Sequence, residues 1–82
     1  MHRMIEATVP PASSGALHQD LHQEPEVLSL SISKAGSDKP GGDILKIFVL
    51  NSSADRVLEL VRKHCGDNHF VVTSEVASIT DP

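Results

Sequence analysis

The chain has 82 residues, a formal net charge of −4 and a single cysteine. This length allows one domain, which we expect to span residues 1–82, and one cysteine excludes an internal disulfide. An acidic chain without a basic stripe is not expected to bind nucleic acid, and no apolar run approaches the roughly 20 residues that span a bilayer. The N-terminus also lacks the pattern of a signal peptide, so we expect a cytoplasmic domain.

The N-terminal segment, residues 1–9, alternates apolar and polar side chains, which predicts a strand with one buried face. The two prolines that follow end this strand, because proline cannot extend a ladder of backbone hydrogen bonds. Ser13 and Ser14 are of the type that caps a helix, and we expect the first helix over residues 15–23. The residues of these two elements that we expect to face the core are Ile5, Ala7, Val9, Ala16, Leu17 and Leu21.

Two further strands are predicted in the middle of the chain. Residues 27–33 alternate strictly and should place Leu28, Leu30 and Ile32 on a buried face. Residues 34–43 are almost all turn formers and predict a long, mobile loop. The third strand then covers residues 44–50, with alternate side chains on its two faces. We expect Leu45, Ile47 and Val49 toward the core and Ile44, Lys46, Phe48 and Leu50 on the other face.

The clearest element is a second helix, predicted from Ala54 to His64. It follows Asn-Ser-Ser, a strong start signal, and Gly66 is placed to cap its end. A last strand is predicted over residues 69–76. The side chains of the helix that recur at the spacing of one buried stripe are Ala54, Val57, Leu58, Val61 and Cys65.

The element order is therefore βαββαβ, which predicts an α+β, ferredoxin-like sandwich. Its four-stranded antiparallel sheet would have the strand order 4-1-3-2, with both helices on one face. The helix-free face should be mostly polar, with an apolar spot at Phe48 and Ile44. That composition allows a solvated sheet or a modest homodimer contact through this face or an edge. The other residues expected on it are Glu6, Thr8, Ser29, Ser31, Ser33 and Lys46.

Histidines are the candidates for metal chemistry. His18 and His22 lie four residues apart on the first helix and could hold one ion, but no third ligand is evident. His64 and His69 flank Cys65, yet they fit the roles of cap and turn residues, and the cysteine completes the buried stripe. We therefore predict no metal, no cofactor and no catalytic residue, and an enzyme is the least favoured class.

Three stretches of the chain carry a resemblance to a known family. They are MIEATVP at residues 4–10, PGGDIL at 40–45 with SADRVLEL at 53–60, and VTSEV at 72–76. In these stretches the chain resembles the N-terminal soluble region of the "uncharacterised hydrophobic domain" family of bacterial and archaeal multi-pass membrane proteins. The resemblance implies a domain excised from a longer protein of the cell membrane, whose function is not known.

Three functions remain open. The first is a non-catalytic regulatory or assembly domain of a membrane protein, with the transmembrane part of that protein as a partner. The second is a stand-alone, ACT-like module that binds a small molecule, an interpretation by analogy of fold. The third is a metal-binding domain that uses the surface histidines.

Overall fold

The structure, a computed structural model, describes residues 2–76. It has four strands, two α-helices and a short 3₁₀ turn at Asn51–Ser53. The predicted element order is confirmed. In chain order the elements are β1 (His2–Val9), α1 (Pro11–His22), β2 (Val27–Asp38), β3 (Gly41–Leu50), α2 (Ala54–Cys65) and β4 (Phe70–Val76).

The strands form one sheet with the order β2-β3-β1-β4, and all neighbours are antiparallel. This is the predicted order, with β1 and β3 at the centre. Both helices cover one face, where their apolar side chains form a single core with alternate residues of the strands. The ferredoxin-like fold is therefore confirmed. In the described part of the chain, no helix is long and apolar enough to cross a membrane.

The core is aliphatic, as the composition requires. Its sheet side is made by side chains of β1 and β3 that are almost fully inaccessible to solvent, and its helix side comes from α1 and α2. Leu60 joins this core in place of the predicted Leu58, which is half-buried against it. The buried hydrophobic residues are Ile5, Ala7, Val9, Leu17, Leu21, Leu45, Ile47, Val49, Ala54, Val57, Leu60, Val61 and Cys65.

The first helix begins earlier than predicted. Its N-cap is Pro10, in extended conformation, and Pro11 occupies the first turn, where the missing N–H of proline costs no hydrogen bond. Ser14 therefore lies inside the helix and is fully buried, whereas Ala16 is exposed. The prediction that Ser13 or Ser14 caps the helix was wrong.

The predicted loop over residues 34–43 is mostly strand. β2 continues to Asp38 and β3 begins at Gly41, so only Lys39 and Pro40 make the turn. An irregularity between Ser33 and Ser37 interrupts the pairing and absorbs the glycine-containing stretch that looked like a loop. The turn-forming residues therefore produce an irregularity within the hairpin, which increases its local twist, and they do not form a loop.

A second irregularity corrects the buried face of β2. Between Val27 and Ser29 the register with β3 shifts, so Val27 pairs with Val49 and Ser29 with Phe48. Leu28 falls at the shift and is 50% exposed. Val27, not Leu28, packs against the core with Leu30 and Ile32.

Candidate functional site

The helices leave one face of the sheet uncovered, and we call it the open face. Its residues follow from the alternation of each strand with the buried side chains and from the cross-strand register. The register arranges them in rows across β2, β3, β1 and β4. From one end of the sheet to the other, the rows are Ser33–Ile44–Thr8–Phe70, Ser31–Lys46–Glu6–Val72, Ser29–Phe48–Met4–Ser74 and Leu50–His2–Val76.

The open face is more apolar than the sequence predicted. Phe70 and Val72 on the edge strand β4 are 54% and 45% exposed, and they form an apolar pair at this edge, beside Thr8 and Glu6 of β1. On the opposite edge, β2 contributes three serines at its paired positions, and Leu28 at the register shift is half exposed. Phe70 and Val72 were missed because the face that each β4 residue occupies depends on its register with β1.

Two opposite charges lie at the centre of the open face. Glu6 on β1 pairs directly with Lys46 on β3, and these are the two central strands. Glu6 is half-buried and Lys46 is exposed. On their outer sides they are flanked by Val72 and Ser31. A residue with a carboxylate and a residue with an ammonium group are therefore direct cross-strand neighbours in the middle of a surface that is mostly apolar and hydroxyl-bearing.

A second candidate is a cleft of about 390 Å³ at the end of the sheet. The β2–β3 hairpin extends past the end of β1, because Val9 pairs with Asp43 while the hairpin continues to Gly41. The loop between α2 and β4 forms the other wall. The cleft is lined by Thr8, Val9, Pro10, Pro40, Gly41, Asp67, Asn68 and His69.

His69 is the most distinctive residue of this cleft. Its Nδ1 atom is buried and has no hydrogen-bond partner in the described part of the chain. Buried polar atoms are nearly always paired, so this ring nitrogen beside a cleft is a group that could hydrogen-bond a small molecule. The lining of the cleft also includes hydrogen-bonding groups of Asp67, Asn68 and Thr8 and two proline rings.

The histidine candidates for a metal do not converge. His18 and His22 have ring centroids 6.3 Å apart on α1. His64 is committed elsewhere, since its Nε2 lies 2.7 Å from Asp20 Oδ2 and links α2 to α1. Among residues 2–76, no group of three or more histidine, cysteine, aspartate or glutamate side chains is placed to hold a metal ion.

The contact between His64 and Asp20 has an electrostatic consequence. The hydrogen bond from His64 lowers the pKa of the Asp20 carboxyl, and the nearby charges of His64 and Lys63 act in the same direction. Lys63 Nζ lies 3.9 Å from the same Oδ2 atom. The contact between His64 and Asp20 joins the two helices at the surface, so His64 has a structural role.

A buried carboxylate at Asp43 was not found from the sequence. Its Oδ1 accepts a hydrogen bond from the Ala35 backbone N–H at 2.7 Å, and its Oδ2 accepts one from Ser14 Oγ at 2.6 Å. Lys34 Nζ lies 3.4 Å from Oδ2. These donors, the Ala35 N–H first, lower the pKa of Asp43. Asp43 has the same strand parity as Leu45, and that was the signal that it points inward.

The two side chains in the core that could act as nucleophiles are shielded from solvent. Ser14 is fully buried and held by Asp43, and Cys65 is 6% exposed, as its place in the helical stripe predicted. Burial raises the pKa of the Cys65 thiol, which disfavours the reactive thiolate. These two groups therefore serve packing and hydrogen bonding.

Comparison with known proteins supports the fold. No family model matches the chain, and no curated protein matches its sequence. Among solved structures, the chain is similar to a functionally unknown protein from Pediococcus pentosaceus, with a TM-score of 0.79, 13% identity and coverage of 98% of this chain and 96% of that one. It is also similar to a DUF3240 family protein from Shewanella baltica, with a TM-score of 0.81, 6% identity and coverage of 99% and 96%. At these identities the likeness concerns the fold alone.

Proposed function

We propose that this chain is a non-catalytic regulatory or assembly domain of a multi-pass membrane protein, and that it acts through the open face. The observation that carries the proposal is the apolar part of that face, with Phe70 and Val72 about half exposed. Contiguous exposed apolar surface is costly in water and is typical of interaction sites. The exclusion of Ser14 and Cys65 from solvent supports a role in binding rather than in chemistry.

The membrane protein enters the proposal through the resemblance of the three stretches described above. In a multi-pass protein, a small soluble unit can hold subunits together or transmit a signal to the helices. Either role needs a contact surface. The outer side of α2 is a less suitable one, because its exposed residues are all charged: Asp55, Arg56, Glu59, Arg62 and Lys63.

The test uses the natural protein in its membrane. Val72→Glu places a charge in the apolar part of the open face, and we expect it to shift the native assembly to smaller species on blue native gels. Gln19→Glu, an exposed position on α1, adds the same charge away from the face and should leave the assembly unchanged. Unchanged assembly of Val72→Glu, or a natural reading frame without transmembrane segments, would contradict the proposal.

The cleft supports a second candidate function, the binding of a small molecule. Its volume of about 390 Å³ lies within the range of small-ligand sites, and the unpaired His69 Nδ1 offers a contact. A metabolite panel screened by thermal shift tests it, since a ligand at 100 times its Kd stabilises a protein by about 2.7 kcal/mol. A genuine hit should lose its effect in His69→Leu. A panel without hits, or a shift that persists in the variant, would count against this cleft.

A further inference from the structure

The central charges of the open face point to its partner. We propose that a second copy of this chain packs on the open face, so that Glu6 of each copy lies against Lys46 of the other. This inference rests on the proposed function, because it names the occupant of the surface on which that function depends.

Symmetry makes the pair of charges self-complementary. In a twofold dimer the same patch is used by both copies, so if Glu6 contacts the partner's Lys46, Lys46 also contacts the partner's Glu6. The two residues are direct neighbours on the central strands. A twofold axis that runs parallel to the strands, midway between β1 and β3, would place β1 of each copy over β3 of the other. Glu6 and Lys46 would then face each other in both halves of the interface.

The same axis assigns neighbours to the apolar residues. At the edges, Phe70 and Val72 would lie over the serines of the partner's β2. Phe48 and Met4 are also direct partners on β3 and β1, so each would lie against the other in the second copy. Ile44 would lie against the partner's Thr8 by the same rule. The two sheets would stack with their strands aligned, which is the common geometry of face-to-face sheet packing.

The size of the open face fits this partner. Four strands of about seven residues, at about 4.8 Å between strands and about 3.3 Å per residue, give a projected area of roughly 450 Å². Side-chain relief raises the accessible area above the projection. A standard interface buries about 800 Å² on each partner, so a face of this size fits the low end of the range, which is typical of a weak, reversible dimer.

The experiment is a charge-exchange series on the 82-residue chain, measured by sedimentation velocity. Glu6→Lys makes both central charges positive, and Lys46→Glu makes both negative. Each variant alone should associate roughly tenfold or more weakly than the wild type, because like charges would meet twice in each dimer. Mixed in equal amounts, the two variants should form a heterodimer in which every contact is again between unlike charges. The double variant Glu6→Lys/Lys46→Glu should dimerise like the wild type.

Controls separate the pairing from net charge and from misfolding. Arg62→Glu on the exposed side of α2 changes the charge as much as Lys46→Glu does and should not weaken association. Circular dichroism checks that each variant folds, and recovery in the mixture or the double variant requires folded chains.

Three results would overturn the inference: a wild type that stays monomeric up to about 1 mM, single variants that associate normally, or a mixture that does not recover. If the chain is monomeric but Val72→Glu still disrupts the membrane assembly, the open face binds something else and the proposed function survives. If the chain dimerises as described but Val72→Glu has no effect in the membrane, the proposed function fails and the dimer stands.

Discussion

The two faces of the sheet are made by the same strands but have different roles. On β3, Leu45 and Ile47 are fully buried under the helices, while Lys46 between them is exposed on the open face. The covered face is mostly aliphatic, with the buried Asp43 at one end, whereas the open face mixes serines, two opposite charges and exposed apolar groups. Because the covered face alone builds the core, we expect stability to depend on it. The composition of the open face is then free to serve recognition.

The largest expected effect is the removal of a core side chain from β3. Ile47→Ala should lower the free energy of unfolding by about 2–5 kcal/mol, because it removes a fully buried side chain and leaves a cavity. Lys46 is the neighbouring residue on the other face, and Lys46→Ala should change the free energy of unfolding by no more than about 0.5 kcal/mol. Urea unfolding of both variants gives the comparison, and similar losses would contradict the division between the faces.

The next effect concerns Gly42, where β3 runs close to β1. A Cβ atom at this position would lie 2.4 Å from the carbonyl oxygen of Val9, and the backbone has φ +155°. The conformation alone should cost Gly42→Ala about 1–3 kcal/mol, and the clash adds to it.

The matched control for Gly42 is Gly15, an exposed helical glycine whose Cβ would meet nothing within 4 Å. Gly15→Ala should stabilise the chain by about 0.5–1 kcal/mol. Opposite signs for the two glycines in thermal unfolding are the expected result. A neutral Gly42→Ala would show that β1 and β3 can move apart at this end.

The sequence predicts the covered face better than the open one. Periodicity identified the buried sides of β1, β3 and most of α2, because helical and strand repeats follow directly from backbone geometry. It failed at Leu28 and at residues 34–43, where irregular pairing shifts the alternation. The apolar part of the open face stayed hidden because Phe70 and Val72 are placed by register. The cleft stayed hidden because its walls come from three separate segments.

The buried polar contact of Ser14 should matter less than the aliphatic core. Ser14→Ala removes the donor at 2.6 Å from Asp43 and leaves a buried carboxylate oxygen with less compensation. We expect a loss of about 1–3 kcal/mol at neutral pH, the usual result when a buried polar group loses its partner. Ser13→Ala, on a half-buried neighbour in the same helix, is the control. Equal urea midpoints for wild type and Ser14→Ala would mean that water replaces the hydroxyl.

Acid should weaken the fold through Asp43. Its pKa is lowered in the folded chain, first by the Ala35 N–H and then by Ser14, so the carboxylate contributes stability above its unfolded pKa of about 3.9. That contribution is lost as the pH falls below about 4 and through the folded value. Urea unfolding from about pH 6 to about pH 2 should show a decline that is shallower in Asp43→Asn. An identical decline would assign the acid sensitivity to other carboxylates, such as Asp20, whose pKa is also lowered.

The smallest effect is expected on the open face itself. Val72→Thr keeps the shape and branching of a side chain that is 45% exposed, so the free energy of unfolding should change by no more than about 0.5 kcal/mol. The same substitution on the covered face, Val49→Thr, buries a hydroxyl at a position with no solvent exposure and should cost about 1–3 kcal/mol. Both variants are measured at concentrations where the unfolding midpoint does not depend on concentration, so association does not contribute. Equal costs would mean that the open face also holds the monomer together, and a loss of assembly in Val72→Glu could then not be assigned to a contact surface.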